Sequence, residues 1–211
     1  MIDTQLRTYD VSSKRILDAV DAVPREMFVP QDATALAYAD QPFVITTGEG
    51  ETRSLIQPMV LARMIQSADI QPGDRVLNLA GGSGYGAAIM AAMGASVTML
   101  ESDEGLAGVA RRALISAGAD SVSVVVGELS SGYPASHPYD VILIEGSLEV
   151  MPSMLAAQLA DGGRMVAVLG HGRAGRVAVW QRTAGSIGKR TVFDAAAPPL
   201  GSFAQPAGFA F

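Results

Sequence analysis

The chain has 211 residues, 49% hydrophobic and 17% charged, enough for one sizeable core and short for two independent domains. Fifteen Lys and Arg against 21 Asp and Glu leave a net charge of -6, a field that repels a phosphate backbone, so nucleic acid is not an expected partner. The absence of cysteine excludes thiolate nucleophiles, disulfides, zinc-thiolate sites and iron–sulfur ligation.

Met1–Gln5 carries no basic-then-apolar leader, and no apolar run approaches the roughly 20 residues that cross a bilayer. The expectation is a cytoplasmic chain without a membrane partner; the sequence leaves the oligomeric state open. Both histidines, His137 and His171, fall in Pro- or Gly-containing turns without an acidic partner at metal-ligand spacing, and read as solvated loop residues.

Residues 1–70 read as a helical layer. Ser13–Val20 and Met59–Ala68 place apolar residues at helical spacing, while Asp40–Gly50 sets turn residues around a short apolar run, as in a loop or small hairpin. From Pro72-Gly73 the pattern changes. Dense apolar runs at Arg75–Ala80, Val97–Leu100, Val122–Val126, Val141–Ile144 and Met165–Leu169 suit parallel strands buried on both faces, with crossover helices between them. Residues 71–170 are therefore expected to form the core of a doubly wound, mostly parallel α/β sheet. In residues 171–211, Val177–Gln181 and Thr191–Phe193 are too close for a helical crossover and are expected to make an antiparallel edge pair, followed by an irregular tail from Ala195.

The strand Arg75–Leu79 runs into Ala80-Gly81-Gly82-Ser83-Gly84-Tyr85 and then an alanine-rich helix from Gly86 to Met93. Small residues at such a turn admit a ligand close to free helix N-terminal amides, which makes it the leading site candidate. Glu101, 17 residues after Gly84 at the end of the next strand, can accept both hydroxyls of a ribose. Dinucleotide oxidoreductases and nucleoside-cofactor methyltransferases share that arrangement. The spacing Ala80-x-Gly82-x-Gly84 lies closer to the Gly-x-Gly-x-Gly of methyltransferases than to Gly-x-Gly-x-x-Gly, and favours S-adenosylmethionine. The bland alternative is that these glycines merely permit a tight turn and close helix packing.

Asp21–Pro30 and Ala37–Pro42 resemble the N-terminal signature of the protein-L-isoaspartate O-methyltransferase family. Gln57–Ala62 resembles that family's Gln-Pro helix start, Pro72–Leu77 its lead into the first strand and Gly82–Tyr85 its cofactor turn. Pro138-Tyr139-Asp140 and Leu159–Arg164 match the approaches to its fourth and fifth strands, so that the likeness runs from about Gln5 to Val168. The resemblance implies a seven-stranded, Rossmann-like class I methyltransferase fold with S-adenosylmethionine at Ala80–Tyr85. It also implies ribose binding by Glu101 beside Ser102, adenine contacts near Glu128 and Leu129, and methylation of the α-carboxylate of L-isoaspartyl residues in damaged proteins.

Departures fall on the site. Asn78-Leu79-Ala80 stands where the family begins its turn Glu-x-Gly, removing a charge near the cofactor's cationic end and adding a methyl group. In the substrate loop, Thr52-Arg53-Ser54 is separated from Gln57-Pro58 by Leu55-Ile56. Anchoring on Thr-x-Ser keeps Ser54 as the substrate-contacting serine; anchoring on Gln-Pro puts Ile56 there. Arg53 is either a bidentate donor to an acceptor carboxylate or a solvated loop charge. Glu145 replaces a small residue after the fourth strand. It would favour a sulfonium, repel an acceptor carboxylate or serve as a base, unless it is a solvent-facing acid or helix cap. These changes also raise a second reading, a degenerate member that binds the cofactor or its product without methylating isoaspartate.

Overall fold

The structure is a computed structural model and describes residues 1–45, 53–170 and 172–204. His171, Thr52 and the turn of the expected hairpin lie outside them. The N-terminal layer contains a π-helical turn at Ile2–Leu6, α1 (Lys14–Ala22), short 3-10 turns at Arg25–Phe28 and Gln31–Leu36, and the antiparallel pair β1 (Phe43–Ile45) and β2 (Arg53–Leu55). It ends in α2 (Pro58–Ala68), which opens with proline in its first turn, where no amide partner is required. Burial of Ile16, Leu17, Ala19 and Val20 on α1, and of Val60, Leu61, Met64 and Ile65 on α2, is what fixes these short helices.

The βα core follows as β3 (Arg75–Leu79), α3 (Tyr85–Ala92), β4 (Ser96–Glu101), α4 (Glu104–Ser116) and β5 (Ser123–Val126). The chain then returns through β6 (Tyr139–Leu148), α5 (Ser153–Ala156), β7 (Leu159–Leu169), β8 (Arg176–Thr183) and β9 (Ser186–Asp194). The sheet has seven strands in the order β5-β4-β3-β6-β7-β8-β9, parallel through β7 and antiparallel at β8 and β9. This is the expected mostly parallel α/β sheet.

Its strands alternate sides. Val76, Val141, Leu143, Val166 and Val168 join the core beneath α1 to α4, whereas Leu77, Ile142, Ile144, Met165 and Trp180 join a second core on the opposite face. The helical cover is unequal. The connection from β5 to β6, expected to be a helix, is a pair of 3-10 turns at Leu129–Ser131 and Pro134–Ser136, because Gly127, Gly132, Pro134 and Pro138 interrupt any longer helix. α5 spans four residues. The tail supplies the missing cover, inserting Leu200 and Phe203 into the second core.

The expected strand limits were too short at three places: β6 runs on to Leu148, β7 begins at Leu159 and β9 begins at Ser186. Pairing overrides weak propensity there. β8 and β9 meet through Ala184-Gly185, both at positive φ (50° and 81°), a geometry matched to the twist of a two-residue hairpin. Within β6, Leu143 pairs Val166 but Ser147 pairs Val168, so the strand bulges around Glu145. The tail clamps the bulge: the Ser147 amide donates to the Pro198 carbonyl at 2.8 Å and the Leu200 amide to the Ser147 carbonyl at 3.2 Å. Among the described residues no helix is long and apolar enough to cross a membrane.

Candidate active site

The strand order reverses at β3, whose neighbours are β4 on one side and β6 on the other, and open α/β sheets bind ligands beyond the carboxyl ends of the strands at such a point. Leu79 pairs with both Leu100 and Ile144, which sets Ala80, Glu101 and Glu145 side by side at that end. Ala80, Gly82 and Gly84 then turn the chain through positive φ (56°, 61° and 95°) into α3. Glycine adopts this conformation freely; Ala80 does so at a cost of about 1 kcal/mol. The turn is closely packed: a Cβ at Gly84 would lie 3.1 Å from Leu114 of α4, and the Ser83 hydroxyl donates to the Phe28 carbonyl. Ser83 thus ties the turn to the N-terminal layer.

Glu101 is fully buried. Its Oε1 accepts from Arg53 Nε at 2.9 Å, lies 2.9 Å from Arg53 Nη2 and accepts from the Ser102 amide at 2.9 Å. Arg53 Nη2 also donates to Ser102 Oγ at 2.6 Å. Arg53 is only 5% exposed, so the solvated-charge reading is overturned. Burial pushes the Glu101 carboxyl above its ordinary value, against the opposing pull of Arg53 and the Ser102 amide. Its Oε2 has no hydrogen-bond partner.

Glu145 is 2% exposed, which overturns its reading as a solvent-facing acid or helix cap. The β6 bulge turns its side chain under the glycine turn and α3. Asn78 Nδ2 donates to Glu145 Oε1 at 3.0 Å, while Glu145 Oε2 and Asn78 Oδ1 lack partners. Glycine is required around this pair. A Cβ on Gly86 would stand 2.2 Å from Glu145 Oε1, and one on Gly81 would stand 2.4 Å from Asn78 Oδ1. Desolvation raises the Glu145 carboxyl to about 8; the Asn78 hydrogen bond and the field of Arg25 oppose the shift, and the field of Glu101 reinforces it.

Arg25 is the residue that the sequence did not single out for a role, although a guanidinium beside Val23, Met27 and Phe28 was a signal. It is fully buried, donates from Nε to the Ala37 carbonyl at 2.9 Å and from Nη2 to the Ile56 carbonyl at 3.0 Å, and lies 4.7 Å from the centre of the Tyr85 ring. It thereby fixes the helix entry, where Gln57 caps α2 and Ile56 precedes it; Ser54 stands instead on β2, opposite Val44. Glu128 and Leu129 follow β5. Leu129 is buried in the second core, whereas Glu128 is exposed and accepts from Ser130 Oγ at 2.6 Å and Ser131 Oγ at 3.0 Å, which hold its carboxyl below the ordinary range. The structure therefore brings Asn78, Ala80–Gly84, Glu101, Ser102 and Glu145 together with Arg53 at the carboxyl ends of β3, β4 and β6, and leaves Ser54 on β2. A depression lined by Met1, Ile2, Asp3, Arg7, Asp21 and Tyr38 lies apart from these residues.

This end of the sheet suits a cationic nucleoside: two buried carboxylates stand beside a positive-φ, glycine-rich turn that leads into a helix start. Comparison with known proteins agrees. The family described as Protein-L-isoaspartate(D-aspartate) O-methyltransferase matches residues 1–202. A protein-L-isoaspartate O-methyltransferase of Koribacter versatilis is 38% identical over 200 residues, covering 95% of this chain and 88% of that protein. That of Gloeobacter violaceus is 38% identical over 201 residues, covering 95% and 96%. A solved protein-L-isoaspartate O-methyltransferase superposes with a TM-score of 0.82 at 25% identity over 93% of this chain and 63% of its own length. A Plasmodium falciparum structure, titled a putative protein-L-isoaspartate O-methyltransferase in complex with S-adenosyl-L-homocysteine, shares the fold with a TM-score of 0.80 at 17% identity, covering 93% of this chain and 95% of that one. The nicotinamide reading is set aside, and the chain belongs to the protein-L-isoaspartate O-methyltransferase family.

Proposed function

We propose that the chain is a cytoplasmic S-adenosylmethionine-dependent O-methyltransferase acting on the α-carboxylate of L-isoaspartyl residues in proteins or peptides. The observation that carries this reading is the pairing of two buried carboxylates, Glu101 and Glu145, across a positive-φ glycine turn at the sheet's switch point. Family membership supplies the acceptor class. S-adenosylmethionine supplies a methyl group on a sulfonium, and its transfer to a carboxylate oxygen forms an ester C–O bond while the S–C electron pair stays on sulfur, so no general base is required.

The protein's contribution is position and exclusion of water. Glu101 and Ser102 would hold the ribose edge, the Ala80–Gly84 backbone would accommodate the ligand, Asn78 and Glu145 would face its cationic end, and Glu128 and Leu129 would border the base. Arg53, beside Ser54 on β2 and held on Glu101, would offer a guanidinium to an acceptor carboxylate.

A methylation assay with paired isoaspartyl and aspartyl peptides tests the reading. Transfer to the isoaspartyl peptide alone is expected. Tight binding of S-adenosylhomocysteine without transfer to either peptide would favour the non-methylating member of the family instead.

A further inference from the structure

Glu145 is not placed as a surface acid would be. It is carried inward by a bulge, enclosed beneath α3, and given a single neutral hydrogen-bond donor, Asn78, at 3.0 Å. Its second oxygen has no partner, and Asn78 Oδ1 beside it also has none. The groups around it come from five elements. β3 presents Asn78; the glycine turn and α3 present Gly81 and Gly86, where any Cβ would collide with Asn78 or Glu145; and β4 presents Glu101, already engaged by Arg53. The Arg25–Phe28 turn contributes Arg25, whose field reaches Glu145 but whose donors go to the Ala37 and Ile56 carbonyls, with Tyr85 against its face. Among the described residues no cation forms an ion pair with Glu145.

A carboxylate enclosed in this way lacks the counter-charge that burial demands, and a neighbouring carboxylate increases the deficit. We propose that Glu145 is the counter-ion for the α-ammonium at the methionine end of the cofactor, a group S-adenosylhomocysteine shares, and that Glu145 is protonated in the unliganded protein and releases that proton to solvent as the ligand binds. The inference rests on the methyltransferase reading above. Burial that raises the carboxyl to about 8 agrees with it. The sign is definite: below that value each unit of pH decrease weakens binding about tenfold, because one proton must leave for each cofactor bound.

The test is calorimetric titration of the full chain with S-adenosylhomocysteine at pH 7 in two buffers of different ionisation enthalpy. Wild type is expected to release about one proton per ligand. 5′-Methylthioadenosine, which lacks the charged methionine end, is expected to release none. Glu145→Gln, which keeps the volume and the Asn78 contact, is expected to abolish proton release and weaken S-adenosylhomocysteine binding at least tenfold. The Asn78→Asp, Glu145→Gln double variant, which moves the acid across the same hydrogen bond, is expected to recover most of that affinity; it also serves if the single variant folds poorly. Equal proton release by wild type and Glu145→Gln, or by the two ligands, would overturn the proposal while leaving the cofactor site intact. Failure of folded wild type to bind S-adenosylhomocysteine would overturn the cofactor site itself, and the proposal with it.

Discussion

Glu101 and Glu145 flank the end of β3, one on β4 and the other on β6, are buried alike and yet are satisfied in opposite ways. Glu101 keeps a guanidinium on one oxygen, with the Ser102 amide beside it; Glu145 has a side-chain amide alone. The difference is between a charge neutralised within the fold and one left for a ligand to neutralise. Burial by itself therefore does not define a carboxylate's role; the nearest cation does.

Removing the paired acid should do the most damage. Glu101→Ala leaves Arg53 buried without its carboxylate, a loss of about 3 to 5 kcal/mol by the behaviour of broken buried pairs, read as a lower thermal midpoint. Recovery in an Arg53→Met, Glu101→Leu double variant would show that the pair, and not the position, causes the loss. Next comes Gly86→Ala, whose new Cβ meets Glu145 Oε1 at 2.2 Å: about 1 to 3 kcal/mol should be lost to overpacking, and the cost should shrink when Glu145→Ala is added.

The unpaired acid should behave in the reverse sense. A carboxyl whose folded value, about 8, exceeds its ordinary 4.5 binds its proton more firmly in the folded state. Its contribution to stability is complete below about pH 4.5, declines as pH rises towards 8 and is gone above it. Glu145→Gln should therefore raise the thermal midpoint at pH 8 by at least about 3 °C and change it little at pH 4.5, a contrast measured by calorimetry at the two pH values. The smallest effect belongs to Ala80→Gly. Relief of the positive φ offsets the added chain entropy, leaving less than about 1 kcal/mol by denaturant titration.

The glycine turn and Glu101 were legible because their geometry is local: a strand, a turn and an acid on the next strand follow from consecutive apolar runs and small residues. The strands were legible for the same reason, though their ends at β7 and β9 were not, since hairpin pairing lengthens strands beyond what Asp161-Gly162-Gly163 or Gly188 would suggest. Glu145 was recognised as a candidate but its enclosure was not. That depends on a register shift between β6 and β7 and on the tail from Pro198, contacts that no local pattern carries. Arg53 was recognised as a candidate donor, but its burial against Glu101 was not, because that partner lies on β4, far along the chain. The lopsided helical cover was hidden too, as apolar runs alone do not say which face a connection will cross.

The clamp on the β6 bulge ties the middle of the sheet to Pro198–Leu200, close to the end of the described chain. During synthesis, with the N-terminus emerging first, the glycine turn, both carboxylates and the helical layer are all available before that clamp exists. The bulge gains these hydrogen bonds only when Pro198 and Leu200 arrive, so the chain through β9 alone lacks the contacts that hold Ser147, two residues from Glu145. Completion of the bulge is in this sense timed by translation of the tail.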